Sequence, residues 1–105
     1  MIDVIDLNSK LATITGLENY TVRAKKGATL PYTVITFNAS DNFGADNKTF
    51  FKVDNAAVEL YTINKDTTLE GKIEKIFNDN DMFFDSDEAR DDDQQFYIKY
   101  YYLRG

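Results

Sequence analysis

The stretch Val58–Phe77, VELYTINKDTTLEGKIEKIF, constrains the fold more than any other part of this chain. Its first half alternates as a strand does, with Val58, Leu60 and Thr62 on one face and Ala57, Glu59 and Tyr61 on the other. A short charged turn follows. Thr67 and Glu70 then have the S/T-x-x-E spacing of a capping box, in which each side chain satisfies an orphan backbone N–H of a helix start. Leu69, Ile73, Ile76 and Phe77 recur at i, i+4, i+7 and i+8, one stripe of a helix expected over Thr68–Asn78. Gly71 lies off that stripe, where its cost of ~1 kcal/mol is tolerable on a solvent face. A strand joined to a helix this way must bury both apolar faces in one core.

The chain around this unit has 105 residues, the length of one domain with one core. Ile2–Ile14 carries Val4, Leu7, Leu11 and Ile14 as a helical stripe, with Gly16 as its stop; an exposed N-terminal arm is the alternative. Tyr20–Lys25 alternates as a strand that turns at Lys26-Gly27. Pro31 opens the strand YTVITF, where a missing ladder donor does no harm. Thr33–Phe37 and Thr49–Val53 read as the arms of a long β-hairpin around the polar loop Asn38–Lys48. Phe43 is the large apolar residue at the tip of that loop, and it either folds back on its own hairpin or inserts into a neighbouring subunit. Asp54-Asn55 marks a bulge or kink before Ala56–Thr62.

Beyond the capped helix, Met82–Asp85 reads as a short strand and Ser86–Asp93 as a charged connector. Gln94–Leu103 is the last strand. Phe96, Ile98, Tyr100 and Tyr102 share one of its faces, and Tyr97, Lys99, Tyr101 and Leu103 the other. With aromatics on both faces, the strand is either central in its sheet or meets another chain. The expected architecture is a single α+β domain, a mostly antiparallel sheet packed by two helices in the order α-β-β-β-α-β-β.

Composition closes several routes to chemistry. With no Cys and no His, thiolate catalysis, disulfides, Cys-ligated metals and the commonest general base are all absent. The acidic run Asp79–Asp93 fits no EF-hand register. Counting from Asp79 puts Phe83 and Phe84 at the fifth and sixth positions, and counting from Asp85 puts Ala89 and Arg90 there, where a ligand and a glycine are needed. Gly27 and Gly44 stand alone, so no glycine loop cradles a phosphate. Arg23, Lys25 and Lys26 cluster near Tyr20, a small basic spot more often a solvated face than a nucleic-acid site. The net charge of −6 opposes broad nucleic-acid binding, whose affinity rests on bases neutralising phosphates. No run approaches the ~20 apolar residues of a membrane span. The opening MIDVIDLNSK carries acids where a signal peptide carries bases. The expectation is a protein that is not an enzyme, with no cofactor, no metal and no membrane.

The order of segments carries more than any one motif. PYTVITF, then FGADNKTFFKVDNAAVELYTINKD, then a helix ending near KIEKIF, resembles the small head–tail joining proteins of long-tailed bacteriophages. These are the tail-completion or tail-terminator proteins found especially in phages and prophages of Gram-positive bacteria. The resembling elements are Pro31-Tyr32, the Ala45-Asp46-Asn47 loop, Val58-Glu59-Leu60-Tyr61-Thr62, Lys65-Asp66 with the helix after it, and the closing aromatic strand Phe96–Tyr102. The resemblance runs from about Thr29 to the C-terminus and supplies no role for the connector Ser86–Asp93.

The resemblance implies a homo-oligomeric ring, usually a hexamer, seated on the last ring of the tail tube. Such a ring stops tube polymerisation, presents a docking surface to the head's connector or stopper protein, and lets DNA pass without specific binding. It also implies a virion structural protein of the head–tail junction, made in the bacterial host cytoplasm. A closed ring needs heterologous contacts, which a reaching hairpin can supply, and Tyr is favoured at interfaces because its ring packs while its hydroxyl stays paired. Candidate contact residues are therefore Asn42, Phe43, Gly44 and Asp46 in the loop, and Tyr97, Lys99 and Tyr101 in the last strand. Two other readings stay open: another neck or minor head component of the same fold, and an acidic inhibitor that mimics DNA. The mimic ranks last, since its carboxylates are concentrated in one connector and offset by twelve bases.

Overall fold

In the computed structural model, which describes residues 2–21, 24, 26–37, 52–53 and 55–104, two helices cover one face of a five-stranded sheet. The elements in chain order are β1 (Ile2–Asp3), α1 (Val4–Thr15), β2 (Glu18–Thr21), β3 (Tyr32–Phe37), β4 (Lys52–Val53), β5 (Asn55–Thr62), α2 (Thr67–Asp79), β6 (Phe83–Asp91) and β7 (Phe96–Arg104). The main sheet runs β2-β3-β5-β7-β6. Only β2–β3 is parallel; the other three pairings are antiparallel. β1 and β4 form a separate two-stranded pair, Ile2 opposite Val53. This is the α+β domain expected, with a mostly antiparallel sheet and two helices.

The core forms where three apolar patterns meet. Val4, Leu7 and Leu11 come from α1, and Ile73, Ile76 and Phe77 from α2. Ile35, Ala56, Val58, Leu60, Tyr101 and Leu103 come from the sheet, and all are buried together. Each large aliphatic side chain so buried contributes about 1.5–3 kcal/mol relative to exposure. β5 shows the cause most plainly, since its burial alternates strictly, with Ala56, Val58, Leu60 and Thr62 turned inward.

Several local expectations are corrected. Helix α1 starts at Val4 rather than Ile2, because the Asp3 carboxylate accepts the Asp6 N–H at 3.0 Å and caps the helix there. Ile14 is 48% exposed and leaves the stripe one turn early. Gly16 ends the helix as expected, at φ 71°, with its N–H on the Ala12 carbonyl at 3.0 Å. The first strand of the main sheet is Glu18–Thr21 rather than Tyr20–Lys25; Arg23 and Lys25 lie outside the described residues.

Helix α2 is capped one residue earlier than the S/T-x-x-E spacing suggests. Asp66, not Thr67, is the N-cap, and its carboxylate takes the Leu69 N–H at 3.0 Å. Negative charge at that end also meets the positive pole of the helix. Glu70 is thereby released from capping and turns to Lys65. At the other end Asn80 ties the helices together, donating to the Ile76 carbonyl at 2.7 Å and accepting from Lys10 of α1 at 2.6 Å.

Two larger corrections concern strand partners. The antiparallel partner of β3 is β5, with Phe37 opposite Ala56 and Tyr32 opposite Tyr61. Of the expected hairpin arm Thr49–Val53, Lys52–Val53 pairs with β1 in the other sheet, and Thr49–Phe51 lie outside the described residues. Val53 thus belongs to one sheet and Asn55, the first residue of β5, to the other; Asp54, half of the expected bulge or kink, lies outside the described residues. Ser86–Asp93 is not a connector either. Phe83–Asp91 is a nine-residue strand paired along its length with β7, and the turn is confined to Asp92–Gln95. Pairing with an aromatic strand holds this polar sequence extended despite its Asp content, which is unfavourable in strands.

Candidate functional site

Register decides what each face of the sheet displays. Odd-numbered residues of β7 oppose the inward residues of β5: Tyr97 faces Thr62, Lys99 faces Leu60, Tyr101 faces Val58 and Leu103 faces Ala56. Even-numbered residues of β7 therefore point away from both helices, together with Ala57, Glu59 and Tyr61 of β5, Tyr32 and Val34 of β3, and Tyr20 of β2. Asp85, Asp87 and Asp91 of β6 share that outer face with Phe83.

The outer face is aromatic from edge to edge. Tyr20 meets Tyr32 edge-on at 5.6 Å, and Tyr32 stacks on Tyr61 at 4.9 Å between centroids. Tyr61 leans on Phe96 at 5.6 Å, and Tyr100 lies parallel to Tyr102 at 6.2 Å. These spacings are those at which aromatic pairs attract beyond simple burial. Tyr102 remains 47% exposed and Phe83 72% exposed. Near the middle, the Tyr61 hydroxyl donates to the Glu59 carboxylate at 2.6 Å. Burial, then that hydrogen bond, push the Tyr61 hydroxyl's pKa up, so it stays a donor at neutral pH. Burial raises those of Tyr32 and Tyr100 as well.

Charge on this face is mostly acidic. Among the described strand residues it carries Glu18, Glu59, Asp85, Asp87 and Asp91, against the single base Arg104. Arg104 is already paired with Asp85 at 2.9 Å.

The inner face of the same strands is built differently. Tyr101 is fully buried, edge-on to Phe77 at 5.2 Å and to Phe84 at 5.6 Å, and donates to Glu74 at 2.9 Å. Beside it Lys65 bridges Glu70 at 3.1 Å and Glu88 at 2.8 Å, while Lys99 reaches Glu88 at 3.4 Å and Glu70 at 3.8 Å. The two lysines and two carboxylates alternate, locking α2 to β6 and β7. Hydrogen bonding to Lys65 holds the Glu88 carboxyl below its usual range. A second polar knot joins α1 to the sheet, where Thr33 donates to Asn19 at 2.6 Å and Asn19 in turn donates to the Asn8 side chain.

The structure divides the residues that the sequence pointed to. Tyr101 belongs to the subunit's own core. Lys99 keeps only 17% of its side chain exposed inside the four-charge lock, and Tyr97 is half-buried with the Arg90 guanidinium 4.8 Å from its ring centre. All three lie on the helix side. Asn42, Phe43, Gly44 and Asp46 lie outside the described residues. The open face is made instead by Tyr20, Tyr32, Tyr61, Tyr100 and Tyr102, which come from four strands and share no motif in the sequence. The alternation of Val58–Thr62 marks which side of β5 is inward, and the missing step was the register that carries this parity onto β7.

Among the described residues, no cluster of three or more carboxylates is arranged to hold a metal ion, and no helix is long and apolar enough to cross a membrane. In comparisons with known proteins, no family model matches the chain, and no curated protein or solved structure matches it.

Proposed function

We propose that this chain is a structural protein of the head–tail joint of a long-tailed bacteriophage, capping the tail tube and linking it to the head as a ring of identical subunits. The observation that carries the reading is the open aromatic face of the sheet. A domain of this size that keeps Tyr102 and Phe83 exposed beside a run of stacked tyrosines offers the kind of surface that protein interfaces cover. The ordered segments from Pro31 to Tyr102 that resemble tail-completion proteins point the same way. In this reading the loop Asn38–Lys48 reaches a neighbouring subunit, and the acidic surface suits a conduit through which DNA slides without being held.

One observation favours the DNA-mimic alternative. β6 sets Asp85, Asp87 and Asp91 along a single exposed edge strand. Ala89 breaks that acidic line between Asp87 and Asp91, and Arg104 pairs with Asp85, which places this reading second.

The test is electron microscopy of particles assembled without the protein. The joining role predicts full heads separate from tails, with tails of irregular length. Joined particles with tails of normal length would overturn it.

A further inference from the structure

We infer that the open sheet face docks a cationic protein surface, whose arginine and lysine side chains lie over its tyrosine rings, rather than nucleic acid or the same face of a second copy. This goes beyond the joining role, because it rests on the face alone and names the chemistry of what covers it.

Three occupants are physically distinct here. Nucleic acid would find rings to stack on, but sequence-tolerant binding also needs bases that track the phosphates. Among the described strand residues this face has one base, Arg104, already held by Asp85. A second copy placed face to face would meet itself across a two-fold axis. Glu59 and Asp87 would then approach a surface of the same sign with no free base among the described strand residues to pair them. A partner bearing arginine and lysine resolves both problems, since its charge complements the carboxylates and its cations fit the electron-rich faces of the tyrosines.

The molecule already uses this chemistry on its inner face. Arg90 lies 4.8 Å from the Tyr97 ring centre, and Lys99 lies 5.8 Å from that of Tyr101. On the outer face the rings are present without such partners among the described residues: no cation of a described residue lies over Tyr32, Tyr61, Tyr100 or Tyr102. Arginine is also the charged residue most enriched at binding hot spots, with Tyr among its commonest companions.

The experiment is an NMR titration of the isotope-labelled protein with a twelve-residue peptide of alternating arginine and leucine. The same peptide with glutamate for arginine serves as control. Expected are shifts confined to Tyr32, Tyr61, Tyr100, Tyr102 and their strand neighbours, at least tenfold weaker binding from low to high salt, and no response to the glutamate peptide. Glu59→Gln combined with Tyr100→Ala should weaken binding at least tenfold while the far-ultraviolet circular dichroism is unchanged. Asp79→Asn, which removes an acid from the helical layer, should leave it unaltered.

Equal weakening by Asp79→Asn, shifts spread over the helices, or no binding at millimolar peptide would each overturn the inference. So would binding of a twelve-nucleotide single strand at these tyrosines, or a concentration-dependent dimer whose shifts map to this face. None of these outcomes changes the tails seen by microscopy, so the two proposals fail separately.

Discussion

Tyr100 and Tyr101 are neighbours on β7 and face opposite ways. Tyr101 packs edge-on against Phe77 and Phe84 and donates its hydroxyl to Glu74, enclosed by the helix α2 and the strand β6. Tyr100 lies flat against Tyr102 on the side away from both helices, over a field of carboxylates. The same residue type thus serves as core filling at one position and as display surface at the next. What separates them is pairing: Tyr101 faces Val58 across the ladder, and Tyr100 faces Glu59.

The contrast breaks most visibly under truncation. Tyr101→Ala should cost about 3–5 kcal/mol in urea denaturation, the range for removing a large buried ring. Tyr100→Ala should stay within about 0.5 kcal/mol, as surface changes do. Comparable losses at both positions would mean the two faces are not different in kind.

A smaller effect tests how α2 is anchored beneath the inner face. Asp66→Ala should cost about 1 kcal/mol through loss of the cap on the Leu69 N–H, and Thr67→Ala only a few tenths. The reverse order would restore the capping box at Thr67 and shift the helix by one residue.

The smallest effect appears only in alkali. Burial, then the hydrogen bond to Glu74, raise the folded-state pKa of Tyr101 above the ordinary tyrosine value of 10.0. The unfolded chain then releases that proton first, so this contribution to stability is complete below pH 10 and falls as pH climbs above it. Tyr101→Phe should flatten the alkaline decline in urea midpoints measured between pH 8 and 11.5. An unchanged slope would place the titrating group elsewhere, Tyr61 being the next candidate.

Much of the architecture could be read from residue spacing because the helices and β5 carry unambiguous periods. Val4, Leu7 and Leu11, then Ile73, Ile76 and Phe77, announce one buried face each, and both are found buried. The alternation of Ala56–Thr62 is equally clear. β7 is not, because rings occur on both of its faces and the hydrophobic pattern then sets no parity. That ambiguity sent the contact reading to Tyr97, Lys99 and Tyr101, which the ladder with β5 turns toward the helices. β6 was hidden for the opposite reason. Its sequence, FFDSDEARD, has polar residues on both faces, and its extension depends on a partner rather than on its own preferences. The capping shift is a competition between adjacent candidates, Asp66 and Thr67, that only backbone geometry decides.

The order of strands also bears on how the domain folds. β7 follows β6 in the chain yet lies between β5 and β6 in the sheet. The β6–β7 hairpin closes over the four-residue turn Asp92–Gln95, a local and rapid event. Its docking against β5 spans all of α2 and must wait for the whole hairpin. A chain synthesised only as far as Asp91 has the two helices and β5, but neither Tyr101 nor Leu103 to close the core and no partner for β6. Assembly of the sheet is therefore completed when the hairpin docks its β7 side on β5, and until then the edge of β5 that β7 covers is open to any extended chain nearby.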